Sequence, residues 1–128
     1  MVARDWISSL LNDIMNCKKA GKYETVIVGG SKMILDVLEI MKKHGYLTKI
    51  EIEEEKFNKI KIKIGKLNEC RAIKPRFSVK KDGFEKYIRR FLPARDVGII
   101  IVSTSKGLMT HQEAIEKGMG GSLIAYCF

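Results

Sequence analysis

Apolar residues recur at helical spacing near the start of the chain, at Trp6, Ile7, Leu10, Leu11 and Ile14. With Asp5 as N-cap and Gly21 as the stop, this spacing predicts an amphipathic helix over residues 5–19. Thr25 to Val28 reads as a short strand. Ser31 then caps a second helix whose apolar face is Ile34, Val37, Leu38 and Met41. Lys42 and Lys43 fall in its last turn, where cations favour the helix dipole, and Gly45 lies beyond. From Ile50 the period drops to two. Ile50 and Ile52, then Ile60, Ile62 and Ile64, alternate with charged residues, the pattern of a hairpin with one buried face. The first half thus predicts an αβαββ lobe ending near Gly65.

The second half changes character. Ala72 to Val79 is extended and interrupted at Pro75. Phe84, Tyr87, Ile88, Phe91 and Leu92 share one helical face, Lys86, Arg89 and Arg90 the opposite one, and Pro93 ends the helix. The aromatics sit at core spacing and read as packing rather than as a stacking platform. Gly98 to Val102 is an apolar run too short for a membrane and right for a buried strand. It stops at Ser103, Thr104, Ser105, Lys106 and Gly107. Thr110-His111-Gln112-Glu113 is a capping box opening a short helix. Gly118 ends that helix in the left-handed conformation, and Gly120-Gly121 lead into a last strand, Leu123 to Phe128. The fold class is α+β in two small lobes, residues 1–66 and 67–128, the second mainly β with short helices. No repeat or low-complexity segment interrupts it.

A strand that stops at a glycine-closed turn holds its hydroxyls on a fixed backbone. Three hydroxyls, a lysine and a glycine in five positions exceed what a turn needs. Folded RNA offers phosphates and 2′-hydroxyls that such a loop can hydrogen-bond. Gly120 and Gly121, lacking Cβ, would let RNA approach the backbone closely, with positive φ at one or both.

Charge sharpens this reading. The 128 residues carry 24 basic and 15 acidic side chains, a net charge of +9, with a pI near 9.5. Between Arg71 and Arg95 there are nine basic residues against Asp82 and Glu85, so this segment alone carries +7. Clustered like charge repels itself unless a polyanion neutralises it, nucleic acid first and anionic membrane second. Against the membrane, the basic segment has no exposed apolar face. With 45% hydrophobic residues the chain can bury a core and is not of disordered composition. Cys17, Cys70 and Cys127 are odd in number and widely spaced, which argues against a disulfide framework or a zinc site and for a reducing cytoplasm. No signal-peptide h-region or spanning apolar run is present.

Catalytic patterns do not assemble. Strand–Gly29-Gly30-Ser31-Lys32–helix invites a phosphate-loop reading, but the GxxxxGK[ST] spacing is missing, as is GxGxxG. Lys32 at that helix start remains a candidate for an RNA phosphate. Ser103, Ser105 and His111 lack a GxSxG context and an acid to orient the histidine, which fits the first position of a helix instead. Glu51, Glu53, Glu54 and Glu55 read as the wet face of a strand. The competing class is a small RNA-processing or nucleotide-dependent enzyme, which would need a general base or a metal cluster.

STSKGLMTHQEA at 103–114 and GGSLIAY at 120–126 resemble the end of the small-subunit ribosomal protein eight family. YETVIVGGSKMILDVLEIMKKHGYL resembles its beginning, and a lysine at position 32 matches. RAIKPRFSVKKDGFEKYIRRFLPARD looks like the archaeal and eukaryotic branch. In many relatives an acidic residue follows the glycine pair, where this chain has Ser122. The resemblance implies a non-catalytic, cytoplasmic constituent of the small subunit with no cofactor. Its expected partner is a stem with an irregular internal loop in the central domain of small-subunit rRNA, bound directly and early in assembly. Neighbouring small-subunit proteins are further expected partners, and so is the protein's own messenger RNA, bound as a translational repressor. The expected RNA contacts are Ser103, Thr104, Ser105, Lys106, Gly107, Gly120, Gly121 and Ser122, with Lys32, Arg76, Lys80 and Lys81 drawing in phosphates.

Overall fold

The structure, a computed structural model, describes residues 6–28, 32–53, 59–73, 77–94 and 97–128, with side chains at 6–8, 27, 28, 32, 33, 52, 53 and 59 left out of the description. The expected caps Asp5 and Ser31 therefore lie outside the described residues. The chain divides into two compact units, Met1–Cys70 and Arg71–Phe128.

In the first unit the elements run α1 (Trp6–Lys19), β1 (Glu24–Val28), α2 (Lys32–Lys43), β2 (Leu47–Glu53) and β3 (Lys59–Ile64), the αβαββ order that the hydrophobic pattern predicts. The strands form an antiparallel sheet in the order β1-β3-β2. Its core is built by period. Ile60, Ile62 and Ile64 of β3 are buried while Lys61 and Lys63 between them are not, and Leu10, Leu11, Ile14, Ile34, Val37, Leu38 and Met41 of the helices are buried as well. Each such side chain contributes roughly 1.5–3 kcal/mol of transfer free energy. Both helices end as their glycines predict. Gly21 and Gly45 take positive φ (76° and 83°). In each case the glycine N–H and the next N–H fold back onto the last turn: Gly21 to Lys18 O and Lys22 to Cys17 O, Gly45 to Lys42 O and Tyr46 to Met41 O. The polar face of the sheet pairs its charges. Lys63 Nζ lies 3.1 Å from Glu24, and Lys49 2.5 Å from Glu51.

The second unit holds β5 (Ser78–Val79), α3 (Phe84–Phe91), β6 (Ile99–Thr104), β7 (Gly107–Thr110), α4 (His111–Glu116) and β8 (Gly121–Cys127). Together with β4 (Cys70–Ala72) the strands form a sheet ordered β4-β8-β6-β7, with β5 also paired to β8. The extended stretch foreseen over 72–79 is thus two short strands, on either side of residues 74–76, which lie outside the description. Phe84 and Ile88 of α3, with Leu92 just past its end, pack with Ile100, Val102, Met109 and Leu123 as one core.

Three features differ from the sequence pattern. The apolar strand does not stop at Val102 but carries Ser103 and Thr104 within it, and returns as β7, whose Leu108-Met109 pair is too short to show a period. Only part of the aromatic face of α3 is core. Tyr87 and Phe91 are half-buried and continue a line of rings, Phe77–Tyr87–Phe91–Tyr126–Phe128, with centroids 5.3–6.4 Å apart. Arg90 lies over Phe77 and Phe91, 5.3 Å from each centroid, and Lys86 over Tyr87. Finally, His111 does occupy the first position of α4, but it is 1% exposed and its Nδ1 accepts the N–H of Ile100 at 3.1 Å.

Candidate nucleic-acid interface

Register brings the distant candidate residues together. In the β6–β7 hairpin, Ser103 faces Leu108 and Thr104 faces Gly107, leaving Ser105 and Lys106 as a two-residue turn. Thr104 holds that turn from inside: its Oγ1 accepts the Lys106 N–H at 3.1 Å and donates to Gly107 O at 2.9 Å. Gly107, at φ 108°, closes it in a conformation that other residues rarely adopt. Ser105, Lys106 and Gly107 are exposed, and Ser103 and Thr104 half-buried. So the five-residue loop splits by role. Thr104 shapes the tip, while Ser105 and Lys106 present side chains that pair with no described residue.

On the other side of β6 runs β8, with Ser122 opposite Ser103. The glycines that enter β8 owe their identity to the protein's own backbone. A Cβ on Gly121 would strike Ser103 O and come within 2.9 Å of Val102 Cγ1; one on Gly120 would strike Val79 O and lie 3.0 Å from Lys80 Cα. Neither glycine has positive φ. The expectation of left-handed backbone at this pair is therefore corrected: close strand approach, and not unusual dihedrals, excludes a side chain here.

Beyond β8 lies β5, pairing Ser78 with Ser122 and Val79 with Gly121. Lys80 and Lys81 follow in an exposed turn closed by Gly83 N–H to Lys80 O at 2.9 Å, which leads into α3. Neither lysine pairs with a carboxylate among the described residues. One end of the second sheet thus gathers Ser103–Gly107, Gly120–Ser122, Lys80 and Lys81. It also gathers Ser78, which the sequence reading passed over. The signal for it was the alternation Phe77, Ser78, Val79, Lys80, apolar and polar by turns, but its value depends on a register that no periodicity reveals. Of the remaining expected contacts, Lys32 opens α2 in the first unit with its side chain outside the description, and Arg76 lies outside the described residues altogether.

Chemically this surface can donate and accept hydrogen bonds and attract anions. It has no nucleophile–base pair, because the one nearby imidazole, His111, is buried and spends Nδ1 on a backbone amide. Among the described residues, no helix is long and apolar enough to cross a membrane. Among the described residues of the unit, Lys80, Lys81 and Lys106 lie in no ion pair. Arg89 pairs with Glu85 at 3.8 Å one helical turn away, while Lys86 and Arg90 lie on aromatic rings.

Fold and surface define a class: an α+β protein whose second, strongly basic unit presents hydroxyls, backbone and lysines of the kind that suit a polyanion. A family model described as Ribosomal protein S8 matches residues 5–128, nearly the whole chain, and the chain belongs to that family. It is accordingly a ribosomal protein of the small subunit that binds rRNA and acts in translation, in a family of structural proteins and not of enzymes. Its partners include other ribosomal proteins, and its place is the ribosome.

Proposed function

We propose that the protein holds a stem with an irregular internal loop in the central domain of small-subunit rRNA. The contact surface is the end of the second sheet: Ser103, Ser105, Lys106 and Gly107 on the hairpin, Gly120 to Ser122 at the start of β8, and Lys80 and Lys81 beside them. Thr104 contributes by fixing the hairpin tip. The observation that carries this reading is the convergence of three sequence-distant segments into one patch of unpaired hydroxyls and lysines. Recognition is mainly of backbone shape, since hydroxyls and ammonium groups address phosphates and riboses and carry little base information. Lys32 and Arg76 add phosphate attraction. A protein that binds its stem with few other partners in place joins assembly early, in the cytoplasm. A similar fold in its own messenger RNA would compete for the same patch and repress translation.

Footprinting the purified protein on small-subunit rRNA tests the reading. Protection confined to one central-domain stem, competed by that stem alone and accompanied by no turnover of RNA or ATP, is the expected result. Protection that survives loss of the Ser105 and Lys106 side chains would move the surface elsewhere. Competition by the leader of its own messenger tests the repressor role separately.

A further inference from the structure

Three serines stand in register across three adjacent strands. Ser78 of β5 is opposite Ser122 of β8, and Ser122 is opposite Ser103 of β6. Directly paired residues project to the same face, so the three hydroxyls form one row, spaced by the strand separation of about 5 Å. The row is the boundary of that face. Past the pair Val102–Leu123 and a register shift, the pair Ile101–Ala125 of β6 and β8 is fully buried, whereas Ser78 is exposed and Ser103 and Ser122 half-exposed. None of the three hydroxyls bonds to a described residue. A serine hydroxyl both donates and accepts. Three of them at a near-constant step match a ligand that is itself a repeat of acceptors and hydroxyls.

We infer that Ser78, with Ser122 and Ser103, forms a rail for the ribose–phosphate backbone of one RNA strand, making β5 a third contact element beside the hairpin and the glycine turn. This rests on the RNA surface proposed above and adds to it a residue outside both of its loops. Lys80, two residues further on and exposed, extends the rail with a phosphate-seeking charge. A lone hydroxyl bonds donor and acceptor edges alike and discriminates poorly between bases, so the row's contribution is to orientation along the strand.

The test compares Ser78→Thr with Ser78→Val in the full-length protein, binding the small-subunit rRNA stem that the wild type protects. The two side chains share shape and strand preference and differ only in the hydroxyl, so both variants fold alike. The threonine variant is expected to bind within about twofold of wild type, and the valine variant about 5–10-fold more weakly, the loss of one hydrogen bond to a charged or polar acceptor. Equal binding by the two overturns the rail. If Ser105→Ala still weakens binding in that case, the proposed surface stands without β5. If Ser105→Ala binds as wild type too, the surface itself is wrong.

Discussion

At the scale of single residues, the hydroxyl loop separates into side chains that serve the fold and side chains left for a ligand. Ser105→Ala removes an exposed, unpaired hydroxyl, so RNA affinity is expected to fall by about 1–2 kcal/mol with the melting temperature unmoved. Thr104→Ala should also lower stability, by about 0.5–1.5 kcal/mol, because its hydroxyl makes two bonds across the turn. Paired thermal melts and RNA titrations distinguish the two; identical behaviour would contradict the geometry. Gly121→Ala places a methyl group against Ser103 O and Val102 and is expected to cost roughly 1–3 kcal/mol of stability in urea unfolding. A variant as stable as wild type would mean that the strands part without cost. The glycine pair shows how far sequence reaches at this scale. Two adjacent glycines before an apolar run say that something comes close, but whether it is a ligand or the neighbouring strand is decided only by the pairing of β8 with β6.

At the scale of elements, the helices were the most legible, since capping residues, a 3.6-residue stripe and a terminal glycine all act within one segment. Thr110 illustrates this: its hydroxyl accepts the Glu113 N–H at 3.2 Å, as the capping pattern predicts, and Gly118 ends the helix with φ 64°. Strand β7 was not legible, because its apolar pair borrows its neighbours from β6. His111 lies at that junction. Replacing it with leucine deprives the Ile100 N–H of its acceptor and is expected to destabilise the second unit by about 1–3 kcal/mol, measured by urea unfolding. The turn carrying Lys80 and Lys81 makes a different prediction. Alanine at either position should weaken cognate and unrelated RNA alike and reduce the salt slope of binding by about one unit each. A loss restricted to the cognate stem would mean that these lysines recognise structure. On the first sheet, the Lys49 ammonium bonds Glu51 and holds its carboxyl below the usual carboxylate range, while Lys49 is raised in turn. Such a depressed carboxyl stabilises the fold above its unfolded pKa and loses that contribution as pH falls through the folded one. Both side chains are about half exposed to solvent, so Glu51→Gln should change the melting temperature little at neutral pH, and less still in high salt.

At the scale of the whole molecule, charge and fold are unevenly shared. Arg71–Phe128 carries eleven basic against five acidic residues, twice the net charge of the longer first unit, which carries thirteen against ten. The α+β class followed from the periods alone. The strand orders β1-β3-β2 and β4-β8-β6-β7 did not, because which strand lies beside which is settled by side chains meeting across the sheet. For the same reason the candidate surface could be named residue by residue yet not assembled, and Ser78 was missed while its partners Ser103 and Ser122 were found.

The buried imidazole of His111 has a consequence for how this surface can change over time. It accepts the amide N–H of Ile100, three residues before Ser103, and the β6–β8 pairing shifts register between Ile101 and Val102. Sliding the hairpin by one residue would break that grip and turn Ser103 to the opposite side of the sheet. At Ser105 and Lys106 a side chain can therefore change without cost to the fold, while the pairing of the strands beneath them is held in place. Their register is fixed from below, by a histidine that never reaches the surface.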